Sequence, residues 1–498
     1  MQYSVFEQKL AQHVLLRPKW IAIQSRSTVL TYAQLQQEIA KLRQEWLLEN
    51  RHAPIAIAVA NHPAWVVLDL ATLGDEIPLV PIPFFFSDTQ ILHAIIDAGA
   101  GTLITDQPER FSILLGDFVI RKSTFIVAGK RLMQLDLKIS PKALPVGTAK
   151  ITYTSGTTGN PKGVCLGMEA MLEVVNSVVK ATNIDGDAQH LCVLPLSTLL
   201  ENVAGVYAAL IAGATIHLPT SEQVGFIGSQ LDIHKLHHAL LSTTANTAIF
   251  IPELLSALIQ AMEAGASPLA DLQFLAVGGA AVSSNMLSRA KKLGLPVYQG
   301  YGLSECGSVV ALNTSFNNQL GSVGKPLNHI EIKLASDDEI LVKGAIFLGY
   351  TGDTQVQADQ EWLQTGDIGA IDAHGFLQIK GRKKNIFITS FGRNVSPEWV
   401  ETALLNSSHI LQACVYGEAK PWNVALIVTK PDISSYAINH TIDSINQQLQ
   451  DYARISKWVA VSPFTHANQQ LTLNGRLKRQ QIYQAHQQTI HNLYKEVA

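Results

Sequence analysis

Residues 153–164 read Tyr-Thr-Ser-Gly-Thr-Thr-Gly-Asn-Pro-Lys-Gly-Val, which combines glycines, hydroxyl groups and a lysine in one short segment. Glycines allow backbone N–H groups to approach an anion, hydroxyls donate hydrogen bonds, and Lys162 supplies a mobile positive charge. A flexible Ser/Thr/Gly linker would share this composition, but it would not require Pro-Lys-Gly at its end. We therefore predict that the segment binds a nucleotide phosphate chain. The predicted contacts are Thr154, Ser155, Gly156, Thr157, Thr158, Gly159 and Lys162.

This phosphate segment differs from the P-loop of NTPases. A P-loop lysine is followed by Ser or Thr, which ligates magnesium, whereas Gly163 follows Lys162. No G-x-G-x-x-G pattern opens a helix here either. Apolar residues alternate on both sides of the segment, so we expect two strands with the phosphate segment as their connection.

The elements around this segment indicate an α/β fold. Short apolar runs alternate with segments of helical period, which predicts α/β layers with largely parallel sheets. The predicted strands lie at 55–60, 77–82, 248–251, 274–277 and 296–298. Gly278-Gly279-Ala280 and Gly300-Tyr301-Gly302 each follow a predicted strand. Because ligands of open α/β sheets bind at the carboxyl ends of strands, both loops are candidate binding loops.

A second, smaller unit begins near residue 384. Residues 370–379 read as a hairpin, and 381–385 form a polar, basic break in the chain. The residues after the break predict a small α+β domain that ends in a Gln-rich helix at 480–493. A chain of 498 residues is too long for one hydrophobic core, which agrees with two or more domains.

Composition and charge limit the possible function classes. The net charge of −3 gives no general attraction to nucleic acid or to an acidic membrane. The four cysteines have no paired spacing and read as reduced thiols, and no signal peptide is evident. The apolar run 203–218 is short for a membrane span and is expected to form a buried helix and strand. We therefore expect a cytoplasmic protein without a transmembrane segment.

Two residue clusters are expected to be structural. His234, His237 and His238 share a helix face, but no carboxylate or cysteine completes a metal site, so we interpret them as part of a solvated helix. The three phenylalanines at 84–86 are interpreted as core rather than as a docking patch.

Several segments, in a fixed order, resemble the ANL superfamily of adenylate-forming enzymes. This superfamily includes acyl-CoA synthetases, firefly luciferase and the adenylation domains of nonribosomal peptide synthetases. The resemblance begins with the phosphate segment and extends to residues 30–35, 301–305, 321–326, 343–350 and 362–367, so it covers almost the whole chain. It implies a large N-terminal domain of stacked α/β sheets, residues 1–383, and a small mobile α+β lid domain, residues 384–498.

The resemblance implies roles for residues around a nucleotide. In the segment Tyr-Gly-Leu-Ser-Glu at 301–305, Tyr301 would lie against adenine, the Ser304 hydroxyl would reach the α-phosphate, and Glu305 would hold magnesium. Taken alone, an aromatic residue beside glycines is more often a turn with core packing. The other nucleotide contacts that the resemblance implies are Gly278, Gly279 and Ala280 at the adenine edge, and Gly302.

Further roles concern the ribose and the lid. Asp367 in Thr-Gly-Asp would accept hydrogen bonds from the ribose hydroxyls, and Arg382 would hold the ribose as a second contact. Thr-Gly-Asp alone is usually interpreted as an ordinary turn capped by its Asp. Lys384 matches the hinge at which the lid rotates between two half-reactions. Gly392 matches a lid glycine beside the pantetheine channel, where a missing side chain lets a thiol arm pass, and a plain β-turn glycine is the alternative.

One position departs from the superfamily pattern. The superfamily carries a lid lysine that reaches the substrate carboxylate and the α-phosphate, and Arg476 stands in its place here. Arginine keeps the charge but is longer, planar and bidentate. Arg476 could perform the role, Lys478 could substitute, or the first half-reaction could be slow. We favour the first alternative.

The acyl segment indicates an apolar acid. Residues 194–202 resemble the segment that borders the acyl pocket of fatty acyl-CoA synthetases, except that Thr198 stands where those enzymes usually carry histidine. The Phe-Asp-x-Ser motif of amino-acid-activating relatives does not stand here, which disfavours an amino acid. Leu196, Leu199, Val203 and Ala204 fit an alkyl chain, but core packing would also select them. We expect a fatty or other apolar carboxylic acid.

The implied cosubstrates are ATP, Mg²⁺ and an acyl acceptor. Coenzyme A is the first hypothesis for the acceptor, and the phosphopantetheine arm of an acyl carrier protein is the second. The basic residues Arg382, Lys383, Lys384 and Arg393 would suit either partner. A non-catalytic nucleotide or acyl-adenylate binding protein is a third hypothesis. It is suggested by Arg476 alone and opposed by the intact Lys162, Glu305, Asp367 and Arg382.

Overall fold

Two large mixed sheets dominate the structure. The structure is a computed structural model, and it describes residues 5–46, 53–74, 77–154, 161–227, 230–353, 361–472 and 475–495. The strands are β1 Ile21–Gln24, β2 Val29–Thr31, β3 Ile55–Ala58, β4 Leu79–Pro81, β5 Thr102–Thr105, β6 Val119–Val127, β7 Lys130–Leu137, β8 Thr148–Thr154, β9 Lys162–Gly167, β10 Gln189–Leu191, β11 Thr215–His217, β12 Phe226–Ile227, β13 Gln230–Leu231, β14 Thr247–Phe250, β15 Phe274–Val277, β16 Val297–Tyr301, β17 Ala311–Leu312, β18 Lys325–Pro326, β19 Ile330–Leu334, β20 Glu339–Gly344, β21 Gly349–Tyr350, β22 Leu363–Ile371, β23 Leu377–Arg382, β24 Phe387–Ile388, β25 Asn394–Val395, β26 Ile410–Tyr416, β27 Asn423–Thr429 and β28 Ile455–Ala460.

Helices cover the faces of these sheets. They are α1 Val5–Leu16, α2 Tyr32–Glu45, α3 Pro63–Gly74, α4 Asp88–Asp97, α5 Pro108–Leu115, α6 Met168–Thr182, α7 Ala208–Ala212, α8 Ile233–Ser242, α9 Pro252–Glu263, α10 Ser284–Lys292, α11 Pro397–Leu405, α12 Ser435–Asn446 and α13 Arg479–Leu493. A π-helix, Leu200–Tyr207, runs directly into α7. Within the described ranges, no helix combines the length and the apolar character that crossing a membrane requires.

The sheets explain where ligands can bind. The nine-stranded sheet has the order β18-β17-β16-β15-β14-β10-β11-β1-β2, and its central strands are parallel. The eight-stranded sheet has the order β21-β9-β8-β4-β3-β5-β7-β6. A four-stranded antiparallel sheet, β19-β20-β22-β23, follows, and the C-terminal part carries the three-stranded sheet β26-β27-β28. The expected α/β fold with a large N-terminal and a smaller C-terminal part is confirmed, whereas the boundary after residue 383 stays a prediction.

Most local expectations agree with the structure. The predicted strands correspond to β3, β4, β14, β15 and β16, the hairpin at 370–379 to β22 and β23, and the Gln-rich stretch to α13. The four cysteines are free and buried. Phe86 is buried, while the other two phenylalanines of that cluster are half-buried. The apolar run 203–218 is buried as expected, although its first turns form a π-helix.

The solvated interpretation of the histidine cluster is wrong for His237. Its side chain is buried, and its Nε2 lies 2.8 Å from the Ser267 carbonyl oxygen, which makes it a hydrogen-bond partner of the backbone at Ser267. His234 and His238 are exposed on the same helix, as expected. A buried imidazole with a backbone partner is a packed core residue.

A buried polar network joins α3, β8 and the π-helix. Asp69 of α3 forms an ion pair of 2.8 Å with Lys150 of β8, and both side chains are 1% exposed. Asn202 and Tyr207 of the π-helix donate to Asp69 Oδ2 at 2.8 and 2.7 Å. Burial lowers the pKa of Lys150, because the low-dielectric interior disfavours its charged form. The network therefore connects the strand before the phosphate segment to the π-helix.

Candidate functional site

The predicted phosphate segment connects two paired strands. β8 and β9 are antiparallel, and Thr154 pairs with Lys162 in their register, so both residues stand where the segment leaves and re-enters the sheet. Residues 155–160 lie outside the described residues, and the phosphate contacts predicted for Ser155, Gly156, Thr157, Thr158 and Gly159 stay predictions. A side chain at Gly163 would overlap Tyr153 and Thr351, which gives a packing reason for the glycine after Lys162.

A cavity of about 1910 Å³ lies at the carboxyl ends of the central strands, between the large domain and the C-terminal part. The predicted site residues that line it are Thr154, Lys162, Gly278, Gly279, Ala280, Tyr301, Gly302, Ser304, Glu305, Asp367, Arg382, Lys384 and Arg476. Gly392 lies elsewhere, in the turn between β24 and β25. Its φ is +71°, and no described atom lies within 4 Å of a Cβ placed there, so its channel role stays a prediction.

Three predicted nucleotide residues form one hydrogen-bonded group. Asp367 is buried, and its Oδ1 lies 2.7 Å from Arg382 Nε. The Tyr301 hydroxyl donates to Asp367 Oδ2 at 2.6 Å. Burial, followed by the charge of Asp367, raises the pKa of Tyr301, so the phenol stays protonated and can donate. The group fixes a carboxylate at the cavity wall, as a ribose acceptor requires.

This geometry predicts the effect of Asp367→Ala. Hydrogen bonds to a charged group contribute about 1.5–3 kcal/mol each, so the KM for ATP should rise by roughly tenfold or more. Steady-state kinetics with varied ATP would measure the change. Asp372→Ala is the matched control, because Asp372 lies in the turn of the same hairpin and outside the cavity lining. Equal KM values for Asp367→Ala and the parent would contradict the ribose role.

Glu305 and Lys162 both contact Tyr350. Glu305 begins a short 3₁₀ turn with Ser304, and its Oε1 accepts a hydrogen bond of 3.1 Å from the Tyr350 hydroxyl. The Lys162 ammonium lies 5.2 Å from the centre of the Tyr350 ring. Carboxylate oxygens are ligands that Mg²⁺ prefers, so the donor at Glu305 fits the predicted metal. Bound magnesium would neutralise charge on phosphate oxygens next to Lys162.

Gly302 holds this turn against the chain behind it. A side chain at position 302 would overlap the carbonyl group of Ser308, so only glycine fits. Tyr301 and Glu305 lie on either side of this contact. The two side chains are therefore held by one short, tightly packed segment.

Arg476 reaches the cavity from the C-terminal part. The Thr472 carbonyl accepts from the Gly475 N–H at 2.8 Å, and the Thr472 N–H donates to the Arg476 carbonyl at 2.7 Å, which shapes a tight loop. The Arg476 Nε donates to the Gly279 carbonyl at 2.6 Å. The Arg476 side chain is exposed to the open cavity. Desolvation by the surrounding protein lowers its pKa most, and the charge of Arg382 lowers it further. The arginine thus lies among the predicted nucleotide residues.

Glu253 is a cavity residue that the sequence did not reveal. It follows Pro252 at the start of α9, and its Oε2 is buried without a hydrogen-bond partner among the described residues. A Cβ placed at Gly475, next to Arg476, would overlap the Glu253 carboxyl group, so a side chain at position 475 would require that carboxyl group to move. Burial raises the pKa of Glu253. A Pro-Glu pair at a helix start is common, and nothing local signals a partner more than two hundred residues away.

The raised pKa predicts a pH-dependent contribution to stability. Burial disfavours the charged carboxylate, so stability is greatest when Glu253 is protonated and falls as pH rises from the ordinary glutamate pKa through the raised value. Glu253→Gln should therefore gain melting temperature relative to the parent as pH rises through this window. Thermal unfolding across pH measures it. Glu109→Gln is the matched control, because Glu109 also follows a proline at a helix start but is exposed. A pH-independent difference for Glu253→Gln would contradict the prediction.

Comparison with known proteins places the chain in a family. The family model described as AMP-binding enzyme matches residues 10–351, and the AMP-binding enzyme C-terminal domain matches residues 384–498. The chain is 28% identical to the long-chain-fatty-acid–CoA ligase FadD15 of Mycobacterium bovis, over 76% of this chain and 73% of the relative. It is 28% identical to a 2-succinylbenzoate–CoA ligase of Bacillus pumilus, over 82% of this chain and 84% of the relative.

Solved structures share the fold. The anthranilate CoA ligase AuaEII in complex with anthranoyl-AMP has a TM-score of 0.80 at 17% identity, covering 97% of this chain and 98% of that one. The o-succinylbenzoate CoA synthetase MenE from Bacillus subtilis, in complex with its acyl-adenylate intermediate, has a TM-score of 0.75 at 23% identity, covering 95% and 97%. The two matching family models cover most of the chain, which therefore belongs to the adenylate-forming superfamily of AMP-binding enzymes.

Proposed function

We propose that this enzyme activates a carboxylic acid with ATP and transfers the acyl group to a thiol, with coenzyme A as the acceptor. In the first step, a carboxylate oxygen would attack the α-phosphorus, and pyrophosphate would leave. In the second step, the thiol sulfur would attack the acyl carbonyl carbon, and AMP would leave with the bonding electrons. The observation that supports this most is the position of Arg476 near Asp367 and Glu305, in a cavity that Lys162 also lines.

The side chains suit these steps by charge and position. Asp367 and Arg382 would hold the ribose, and Lys162 would follow the phosphate oxygens. The Arg476 guanidinium would lie between the acid and the α-phosphate, where negative charge develops during attack. Preorganised cations are effective in such a site because they need no reorientation when the charge appears.

The acid in this proposal is fatty or otherwise apolar. The cavity continues past Leu199, Leu200, Ala204 and Ala208 of the π-helix region, and these side chains offer no charge to a substrate. Among the relatives, FadD15 is a ligase of long-chain fatty acids and the Bacillus pumilus enzyme a ligase of 2-succinylbenzoate. The apolar wall favours an alkyl acid over a dicarboxylate, because burying an unpaired carboxylate is costly.

Two alternatives remain. An acyl carrier protein could replace coenzyme A as acceptor, since Lys384 and Arg393 would suit phosphates or an acidic helix. A non-catalytic nucleotide binder would use the same cavity without turnover.

Pyrophosphate release tests the proposal. The protein would be mixed with ATP, Mg²⁺ and a panel of alkyl, aryl and amino acids, and we expect release with apolar acids. Thioester yield with free coenzyme A would then be compared with the yield on a carrier protein. If no acid gave pyrophosphate release, the non-catalytic binder would be favoured and the enzyme rejected. If the carrier protein were loaded faster than free coenzyme A, coenzyme A would be rejected as the principal acceptor.

A further inference from the structure

The cavity continues as a trench along one face of the nine-stranded sheet. Thr247 and Ile249 of β14 pair in register with Phe274 and Ala276 of β15, and all four line the cavity. Side chains at alternate positions of a strand point to the same face, so these residues form one continuous wall. We call this space, bounded by Thr247, Ile249, Phe274 and Ala276, the strand trench.

The opposite wall of the strand trench is apolar. Val178 of α6, Ala204 of the π-helix and Ala208 of α7 line the same cavity. These three side chains are small and apolar, so they leave room for a chain but supply no hydrogen bond to it. The middle of the trench therefore suits methylene groups.

The length of the trench follows from the strand geometry. The nucleotide end is marked by the Gly279 carbonyl, which Arg476 contacts, and the remote end by Phe274 and Thr247. Four residue steps lead from Phe274 to Gly278, which spans about 13 Å at about 3.3 Å per step. An extended alkyl chain with bonds of about 1.5 Å advances roughly 1.3 Å per carbon, so the trench matches about ten carbons.

The remote end is polar, unlike the walls. The Thr247 hydroxyl lies 2.9 Å from His190 Nδ1, and His190 Nε2 lies 2.9 Å from Glu201 Oε1. The Leu194 N–H donates to Glu201 Oε2 at 3.0 Å. His190 and Glu201 are buried, whereas Thr247 is half-buried and lines the trench together with His190.

Cys192 lies in the same cluster. Its sulfur and the ligand atoms of His190 and Glu201 lie within 4.8 Å of one another, a spacing that would also suit a metal. Hydrogen bonds already engage both imidazole nitrogens and both carboxylate oxygens. We therefore interpret the cluster as a network that orients the Thr247 hydroxyl.

Thr247 keeps hydrogen-bonding capacity in either protonation state of His190. If the imidazole is neutral with its proton on Nε2, Thr247 donates to Nδ1 and its oxygen retains lone pairs. If the imidazole is protonated on both nitrogens, Nδ1 donates to Thr247, whose own proton is then available. A ligand hydroxyl can accept or donate, so it satisfies Thr247 in both states.

We propose that the natural acid carries a hydroxyl group at the end remote from its carboxylate, about ten carbons away, and that Thr247 recognises this hydroxyl. The inference rests on the proposed adenylating function and narrows its substrate class from an apolar acid to an ω-hydroxy alkanoic acid. The specificity arises because the Thr247 hydroxyl, which already bonds to His190, can form one further hydrogen bond with a ligand hydroxyl but none with a methyl end.

Matched acid pairs test the proposal. We would measure kcat/KM for pyrophosphate release with decanoate and ω-hydroxydecanoate, and with the corresponding octanoate and dodecanoate pairs. One hydrogen bond contributes enough to favour ω-hydroxydecanoate by about three- to tenfold. Thr247→Val should remove this preference, and Thr247→Ser should retain it. Thr182→Val is the matched control, because Thr182 also lines the cavity but its hydroxyl donates to the Val178 carbonyl of its own helix at 2.9 Å.

Binding distinguishes failure of this inference from failure of the proposed function. The same acid pairs would be titrated onto the protein and followed by the shift in melting temperature. Equal binding of both decanoates, or a preference that survives Thr247→Val, would overturn the role of Thr247. A hydroxyl preference in binding without pyrophosphate release would support the trench inference and reject the enzymatic proposal. Stronger activation of aryl acids than of either decanoate would overturn the substrate class.

Discussion

Arg476→Ala should lower the rate of acyl-adenylate formation by about 10²–10³-fold, the usual loss when one preorganised group at a developing negative charge is removed. The guanidinium is anchored on the Gly279 carbonyl and lies near Asp367 and Glu305. Thiol transfer from a supplied acyl-adenylate should change far less, because the phosphoryl chemistry is then complete. Pyrophosphate exchange and single-turnover thioester formation would measure the two steps separately.

Two variants sharpen this prediction. Arg476→Lys keeps a positive charge but loses the planar fork, so adenylation should recover only in part. Lys478→Ala tests the alternative cation in the same loop, and it should leave adenylation nearly unchanged. Equal losses in both half-reactions for Arg476→Ala would show that the residue acts on the fold rather than on the first step.

Asp69→Ala should lower the free energy of unfolding by about 3–5 kcal/mol, the usual cost of removing one partner from a buried ion pair. The change leaves the Lys150 ammonium, the Asn202 amide and the Tyr207 hydroxyl without their shared acceptor inside the protein. Urea unfolding followed by tryptophan fluorescence would measure the loss in the transition of the N-terminal domain. The pair joins α3 to β8 in the buried interior, so the unfolding transition of the whole N-terminal domain should be affected.

A double variant and a surface control separate charge burial from packing. Asp69→Leu combined with Lys150→Met removes both charges, and it should recover much of the lost stability because no unpaired charge remains buried. Asp88→Ala breaks the ion pair between Asp88 and Arg110, whose side chains are 64% and 36% exposed, respectively. This change should lower the free energy of unfolding by at most about 1 kcal/mol. A similar loss for Asp69→Ala and Asp88→Ala would contradict the buried-pair argument.

Local patterns predicted the nucleotide side of the cavity well. The alternation around Lys162 predicted β8 and β9, and the glycines at 278 and 302 mark loops that follow β15 and β16. These features depend on near neighbours in the chain, which a sequence displays directly. The meeting of Asp367, Tyr301 and Arg382 followed from the superfamily resemblance, because sequence spacing alone does not bring separate segments together.

Other features depend on distant partners and were not predictable. The Glu253 carboxyl group lies close to Gly475, and the buried His237 ring has its partner in the Ser267 carbonyl. The π-helix has nearly the same apolar pattern as an α-helix, so periodicity did not reveal it. Two adjacent buried polar residues, Glu201 and Asn202, are the signal that a wider helical turn directs both toward partners.

The packing at Gly302 has a consequence for how this enzyme can diverge. Because the chain behind that glycine leaves no space, the segment with Tyr301 and Glu305 cannot be adjusted one residue at a time. Thr247, Ala204 and Ala208, by contrast, carry side chains that line the cavity. Descendants of this protein would thus keep the same nucleotide, while substitutions on the wall opposite the nucleotide change which acids they accept.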